Sequence, residues 1–152
     1  MSEARYQYRE CGLNNIYLIN GFRYVDTPRG QSVLIEKLEG LHRAIGQLLT
    51  RDKKTLSGSE FRFLRHELNL SQSSLALLFG VEAQTVARWE KRRTKVPGMA
   101  ERMLRALYAE SIGGNPRVSD ILKRLAELDG PPANGELAFK DTPDGWRPAD
   151  AA

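Results

Sequence analysis

Gln84 and Arg88 are the residues of this chain best suited to reading another molecule, because they stand four apart and on a helix would stack on one side. Glutamine can pair at two points with adenine and arginine with guanine, each contact worth about 1–3 kcal/mol of discrimination. Ala83 and the Thr85 methyl flank them and are of a size to touch thymine methyls. From Arg88 to Lys95 there are five cations (Arg88, Lys91, Arg92, Arg93, Lys95) and one anion, Glu90. That window carries the whole formal net charge of +4, so the rest of the chain is close to neutral. A surplus gathered in one place is the electrostatic footprint of a duplex-binding face, with Lys91, Arg92, Arg93 and Lys95 placed to neutralise phosphates. Glu90 is expected to pair with a neighbouring cation rather than meet DNA.

Other chemistries find no support. There is no nucleophile elbow, no phosphate-cradling glycine loop and no pair of catalytic carboxylates, so no enzymatic activity is expected. His42 and His66 stand alone, without a partner motif, and read as surface or packing residues. One cysteine, Cys11, cannot form an internal disulfide, and with two distant histidines it cannot supply the four ligands of a tetrahedral zinc site. No metal or cofactor is expected. A sensing role for Cys11 would rest on that single thiol.

The reading residues need a frame, and the stretch from Gln72 to Lys91, QSSLALLFGVEAQTVARWEK, supplies one. It fits two short amphipathic helices, the first ending near Phe79 and the second running from about Glu82 or Ala83 to about Arg92. Gly80 lies between them, where a positive φ costs little and the second helix can leave at a steep angle. Ala76 is small enough for the crossing point, and Leu75, Phe79, Val81, Val86 and Trp89 form the inner faces.

These residues resemble the lambda-repressor-like, or Xre, helix-turn-helix family. The likeness rests on Leu70-Ser71-Gln72, the small Ala76, Gly80 at the turn, and Arg88-Trp89-Glu90-Lys91 closing the recognition helix. Arg92 departs from it, standing where many members have a helix-stopping glycine. The resemblance implies a five-helix DNA-binding domain and phosphate contacts from Gln72 and Ser73 at the N-terminus of the first helix of the motif. One motif spans few base pairs. The expected partner is therefore double-stranded operator DNA, bound by a homodimer on a palindrome with recognition helices roughly 34 Å apart.

Around the motif, the 152 residues divide into an α+β N-terminal domain over 1–54, a DNA-binding domain over 55–129, and a linker with a hairpin or tail over 130–152. In the first, Tyr6 and Tyr8, then Ile16 to Ile19, then Phe22, Tyr24 and Val25 read as three strands of a small antiparallel sheet. Cys11-Gly12 makes its first turn, Asn20-Gly21 its hairpin, and Thr27-Pro28-Arg29-Gly30 ends the third strand. Three strands are a thin core, so the sheet should lean on the next helix, from about Ile35 or Glu39 to Thr50. Arg51-Asp52-Lys53-Lys54 is the polar break after it. The run Tyr-Arg-Glu-Cys-Gly-Leu is similar to half of a zinc knuckle, with Tyr8 where the first cysteine would be. The order of parts looks like that of MqsA-type antitoxins, here in a metal-free form.

In the second domain, Ser57-Gly58-Ser59-Glu60 is a capping box opening a supporting helix with Phe61, Leu64 and Leu68 on one face. Val96-Pro97 opens a helix with Met99, Met103, Leu104 and Leu107 inside, and Asn115-Pro116 a last one with Val118, Ile121, Leu122, Leu125 and Leu128. Beyond the linker at Gly130-Pro131-Pro132 and Asn134-Gly135, Leu137, Phe139 and Trp146 flank a Pro-Asp-Gly turn, a hairpin that either docks on the N-terminal sheet or a second subunit, or stays a disordered tail. No apolar run reaches membrane-span length and the start lacks signal-peptide order, so a cytoplasmic protein is expected. The function expected is a sequence-specific transcriptional repressor. The competing reading is an antitoxin whose N-terminal sheet binds a toxin while the second domain autoregulates its operon.

Overall fold

The computed structural model describes residues 4–113 and 135–149, and these form two compact units. One comprises the segments up to Ile45 and from Glu136 onward; the other runs from Gly46 to Gly135. The chain thus leaves the first unit, builds the second, and returns.

The first unit holds strands β1 (Tyr6–Gln7), β2 (Ile16–Leu18), β3 (Phe22–Thr27), β4 (Gly30–Ile35), β5 (Leu137–Thr142) and β6 (Gly145–Ala149). Helix α1 (Leu38–Arg51) starts here, and the division between the units falls inside it. A four-stranded sheet has the order β1-β2-β5-β6, and β3 pairs with β4 in a separate two-stranded sheet. The α+β class agrees with the sequence, but the sheet is mixed rather than antiparallel, because β5 runs parallel to β2 with Ile16 opposite Leu137 and Leu18 opposite Phe139. The C-terminal hairpin therefore docks on the N-terminal strands. Leu18, Ile16 and Phe139 are fully buried and Leu137 nearly so.

That docking changes the role of Asn20-Gly21. It closes no hairpin; it is the corner between the two sheets. The Asn20 side chain is held by the backbone of Asp141 in both directions, Nδ2 donating to its carbonyl (3.3 Å) and Oδ1 accepting from its amide (2.6 Å). Gly21 has φ +76° and lies so close under Trp146 that a Cβ there would meet the indole at 2.5 Å. The real hairpin is one turn later, where Thr27-Pro28-Arg29-Gly30 joins β3 to β4 and Thr27 faces Gly30. Residues 31–35, in part assigned to the helix by sequence, complete β4, and α1 begins at Leu38. On α1 the buried residues of this unit are Leu41, Ala44 and Ile45, while Leu38 is exposed. His42 is a packing residue, its Nε2 2.7 Å from the hydroxyl of buried Tyr8. Tyr6 bonds Glu10, and burial together with that carboxylate pushes its phenol up to about 12.

The second unit contains the end of α1, then α2 (Gly58–Glu67), α3 (Gln72–Phe79), α4 (Ala83–Glu90) and α5 (Gly98–Ser111). The capping box at α2 is present: Glu60 N donates to Ser57 Oγ (3.1 Å) and Ser57 N to Glu60 Oε1 (2.9 Å). Phe61, Leu64, Leu75, Val86 and Leu104 are fully buried, and Phe61 meets Trp89 edge to face at 5.8 Å. The polar stretch 51–54 is not an exposed break. Lys53 is wholly buried, bonded to Glu60 at 2.7 Å, and its carbonyl accepts from Arg105. On α5 the expected buried side holds in part: Leu104 is inside as expected, but Met99 and Met103 face out, and Ala100 and Tyr108 pack inside. The interior side is instead taken by the pair Glu101 and Arg105, bonded to each other at 2.7 Å, with Arg105 also donating to the carbonyl of buried Lys53. The expected helix over 116–128 and the linker from 130 to 134 lie outside the described residues. Among the described residues, no helix is long and apolar enough to cross a membrane.

Candidate nucleic-acid interface

Three successive helices of the second unit end by the same device. Asn69 (φ +57°), Gly80 (φ +70°) and Arg92 (φ +62°) each take the left-handed conformation just past α2, α3 and α4. Each is followed by an amide that reaches back to the helix: Leu70 N to Arg65 O (3.3 Å), Val81 N to Ala76 O (3.0 Å) and Arg93 N to Arg88 O (2.9 Å). These Schellman-type bonds satisfy carbonyls that the helix leaves open and turn the chain sharply. Arg92 thus performs the helix stop expected of glycine, and α4 ends at Glu90. A left-handed arginine is strained, so Arg92→Gly is expected to stabilise the unit by about 0.5–1 kcal/mol, read as a higher urea midpoint with an unchanged slope.

The turn sets α4 against α3. Ser71 caps α3 by accepting from Ser74 N (3.0 Å), while Glu82 starts α4 without a side-chain cap. Ala76 is 2% exposed at the crossing, as its size suggested. On α4, Val86, Trp89 and Glu90 are buried, which leaves Gln84 and Arg88 exposed on the opposite side, with Ala83 and Thr85 half-buried beside them. Lys91 continues that exposed line by helical spacing. Arg92, Arg93 and Lys95 follow, all exposed. Among the described residues none of Arg88, Lys91, Arg92, Arg93 and Lys95 has a carboxylate partner. By contrast, the unit's buried cations Lys53, Arg65 and Arg105 are all paired.

Glu90 pairs inward. It takes Arg65 Nε at 2.6 Å and Nη2 at 3.0 Å, a two-point bond from α2, and Gln72 Nε2 at 3.1 Å from the start of α3. Sequence reasoning foresaw that Glu90 would be paired but missed the partner. The signal was there, since Arg65 follows Leu64 and stands four after Phe61, on the buried side of α2. Arg65 Nη1 also donates to Leu70 O (2.8 Å), tying the α2 end to the same cluster. His66 lies beside it, its pKa lowered by burial and by the charges of Arg65 and Arg62.

Of the ten residues singled out, Gln72 is therefore half-buried with its amide turned to Glu90, and Ser73 is exposed at the first turn of α3. Beyond α4, Arg92, Arg93 and Lys95 border an open cleft of about 350 Å³ whose other wall includes Ser57 and Gly58. Gly58 is required there: a Cβ would meet the carbonyl oxygens of Trp89 at 2.5 Å and Glu90 at 2.7 Å. The close approach locks the α2 start against the α4 end. In the first unit, Cys11 is half-buried with its thiol 3.9 Å from Tyr8 O, and among the described residues no group of three or more His, Cys, Asp or Glu side chains could hold a metal ion. The chain matches no family model, no curated protein and no solved structure.

Proposed function

We propose that this chain is a sequence-specific DNA-binding regulator of the lambda-repressor-like kind, inserting α4 into the major groove. The single observation that supports this most is the sorting of cations in the second unit. Among the described residues the buried ones are paired, while Arg88, Lys91, Arg92, Arg93 and Lys95 are exposed, have no carboxylate partner, and are gathered on one helix face and the loop after it. Gln84 and Arg88 read base edges, Ala83 and Thr85 contact thymine methyls, and Ser73, Lys91, Arg92, Arg93 and Lys95 hold phosphates. Gln72 serves through its backbone amide and by positioning α3 on Glu90. The protein acts in the cytoplasm as a homodimeric repressor on a palindromic operator.

The test is binding to the DNA upstream of its own gene against scrambled DNA over a salt series. Arg88→Ala is expected to lower site preference by about 1–3 kcal/mol, roughly fivefold to 150-fold, without changing the thermal midpoint. Arg92→Gly should weaken all sequences alike and reduce the salt slope by about one, while raising stability. No site preference in the parent protein, or one untouched by Arg88→Ala, would defeat the reading.

A further inference from the structure

The strand edges of the first unit are not guarded alike. β1 is only two residues long, and β6 carries Pro148. In the β5–β6 register, Gly145 faces Thr142 across the turn, so Trp146 and Pro148 direct their backbone groups outward, and Pro148 has no amide to offer. Short edges and edge prolines are what prevent sheets from adding strands. β4 has neither. It is six residues long, pairs with β3 without a bulge, and its sequence Gly-Gln-Ser-Val-Leu-Ile carries no charge and no proline. Among the described residues its only strand partner is β3.

The direction of its free groups follows from the ladder. Glu36 N donates to Gly21 O (2.8 Å), which makes Glu36 and Gly21 a bonded pair, so Leu34 and Ser32 also turn their backbone groups toward β3. Gln31, Val33 and Ile35 therefore present theirs to the open side. This set is symmetric about Val33. Two antiparallel copies of β4 related by a two-fold axis would place Val33 opposite Val33 and Gln31 opposite Ile35, each pair exchanging its two bonds, with no charged residue inside the paired strands. The same register extends an apolar face already begun within one copy, where Phe22 lies opposite Ile35 and Tyr24, 53% exposed, opposite Val33. β3, the other free edge of the hairpin, carries Arg23 and Asp26 and lacks this neutrality.

We propose that the outer edge of β4 is the dimer seam of this protein, a second copy of the chain adding its own β4 to make a continuous sheet β3-β4-β4-β3. Its use in setting two recognition helices on a palindrome rests on the DNA-binding reading; the seam itself does not. It assigns dimerisation to the first unit and DNA reading to the second.

Sedimentation of the full chain at micromolar concentration tests the seam, beside Val33→Pro, which deletes an outward amide but no bond to β3. The parent should be a dimer, and Val33→Pro should raise the dissociation constant at least about tenfold while keeping its circular dichroism. Disulfide mapping in a Cys11→Ser background gives the register independently of that variant's folding. Val33→Cys should cross-link to itself, since bonded antiparallel pairs lie about 5.5 Å apart at Cα, within disulfide reach. Gln31→Cys alone should not, its copies being roughly 13 Å apart along the strand, whereas Gln31→Cys mixed with Ile35→Cys should. A monomeric parent, a folded Val33→Pro that stays dimeric, or cross-linking without this register would overturn the proposal, and a dimer supported only by another protein's strand would do the same. Arg88→Ala separates the two readings: it should stay dimeric, and a β4-linked dimer that binds no operator would remove the DNA reading and leave the seam.

Discussion

Arg105→Ala is expected to destabilise the second unit by about 3–5 kcal/mol, a large loss for a single side chain. Arg105 is fully buried, donating to Glu101 Oε1 (2.7 Å) and to the carbonyl of Lys53. Lys53 in turn is bonded to Glu60 at 2.7 Å, and Glu60 is the carboxylate that completes the capping box of α2 with Ser57. Truncating Arg105 leaves a buried carboxylate with its counter-charge gone. Burial already pushes the Glu101 carboxyl up and the Arg105 guanidinium down, so desolvation outweighs the attraction within the pair. For that reason the double replacement Glu101→Leu with Arg105→Met should recover most of what the single one loses, since a buried ion pair is often worth no more than its apolar counterpart. Urea titration followed at 222 nm measures both. Equal losses in the single and double variants would mean that the bond to the Lys53 carbonyl, rather than the ion pair, is the stabilising contact.

Glu90→Ala should cost a similar amount, about 3–5 kcal/mol, for a different reason. Glu90 is where three elements meet: α4 carries it, α2 reaches it through both Arg65 bonds, and α3 through Gln72. Its removal leaves a guanidinium 6% exposed with no carboxylate opposite, though Arg65 keeps its bond to Leu70 O. In a domain of this size the loss corresponds to a melting temperature lower by roughly 4–8 °C per kcal/mol. Gln72→Ala, which takes away one neutral donor, should cost only about 0.5–1.5 kcal/mol. Under the proposed function the pair of variants has a second readout. Below their melting transitions, Glu90→Ala weakens DNA binding by loosening α4, whereas Arg88→Ala weakens it with stability intact. A Glu90→Ala protein as stable as its parent would show that the Arg65 pair is dispensable for holding α4.

Much of the second unit could be read in advance because its rules are local. The capping box Ser57–Glu60, the turn at Gly80 and the small Ala76 are settled by residues a few positions apart. The period of α4 placed Val86 and Trp89 inside and Gln84 and Arg88 outside. The same reasoning failed in part on α5. Periodicity ranks residues by apolarity, and it could not anticipate that Arg105, bonded to the Lys53 carbonyl, and its partner Glu101 would lie inside while Met99 and Met103 were left out. Arg92 misled in a smaller way, since an arginine does not advertise a left-handed conformation that tertiary context imposes on it.

By itself the sequence determined helices α2 to α4 of the second unit, the capping box of α2, the turn at Gly80, the exposed cationic line along α4 and most strand segments of the first, though not β4. Each depends on interactions spanning at most one or two turns. Only the tertiary structure decided which strands pair. β2 takes β5 as its parallel neighbour across a separation that, at Asn20 and Asp141, is 121 residues, and this turned an expected hairpin at Asn20-Gly21 into a corner and an uncertain tail into part of a core. It likewise decided the partner of Glu90, 25 residues away on α2, and the burial of Lys53 in what looked like a solvated break. The physical reason is common to all three. A buried charge or an open strand edge requires a partner, but its own sequence neighbourhood does not say which distant group will meet the requirement.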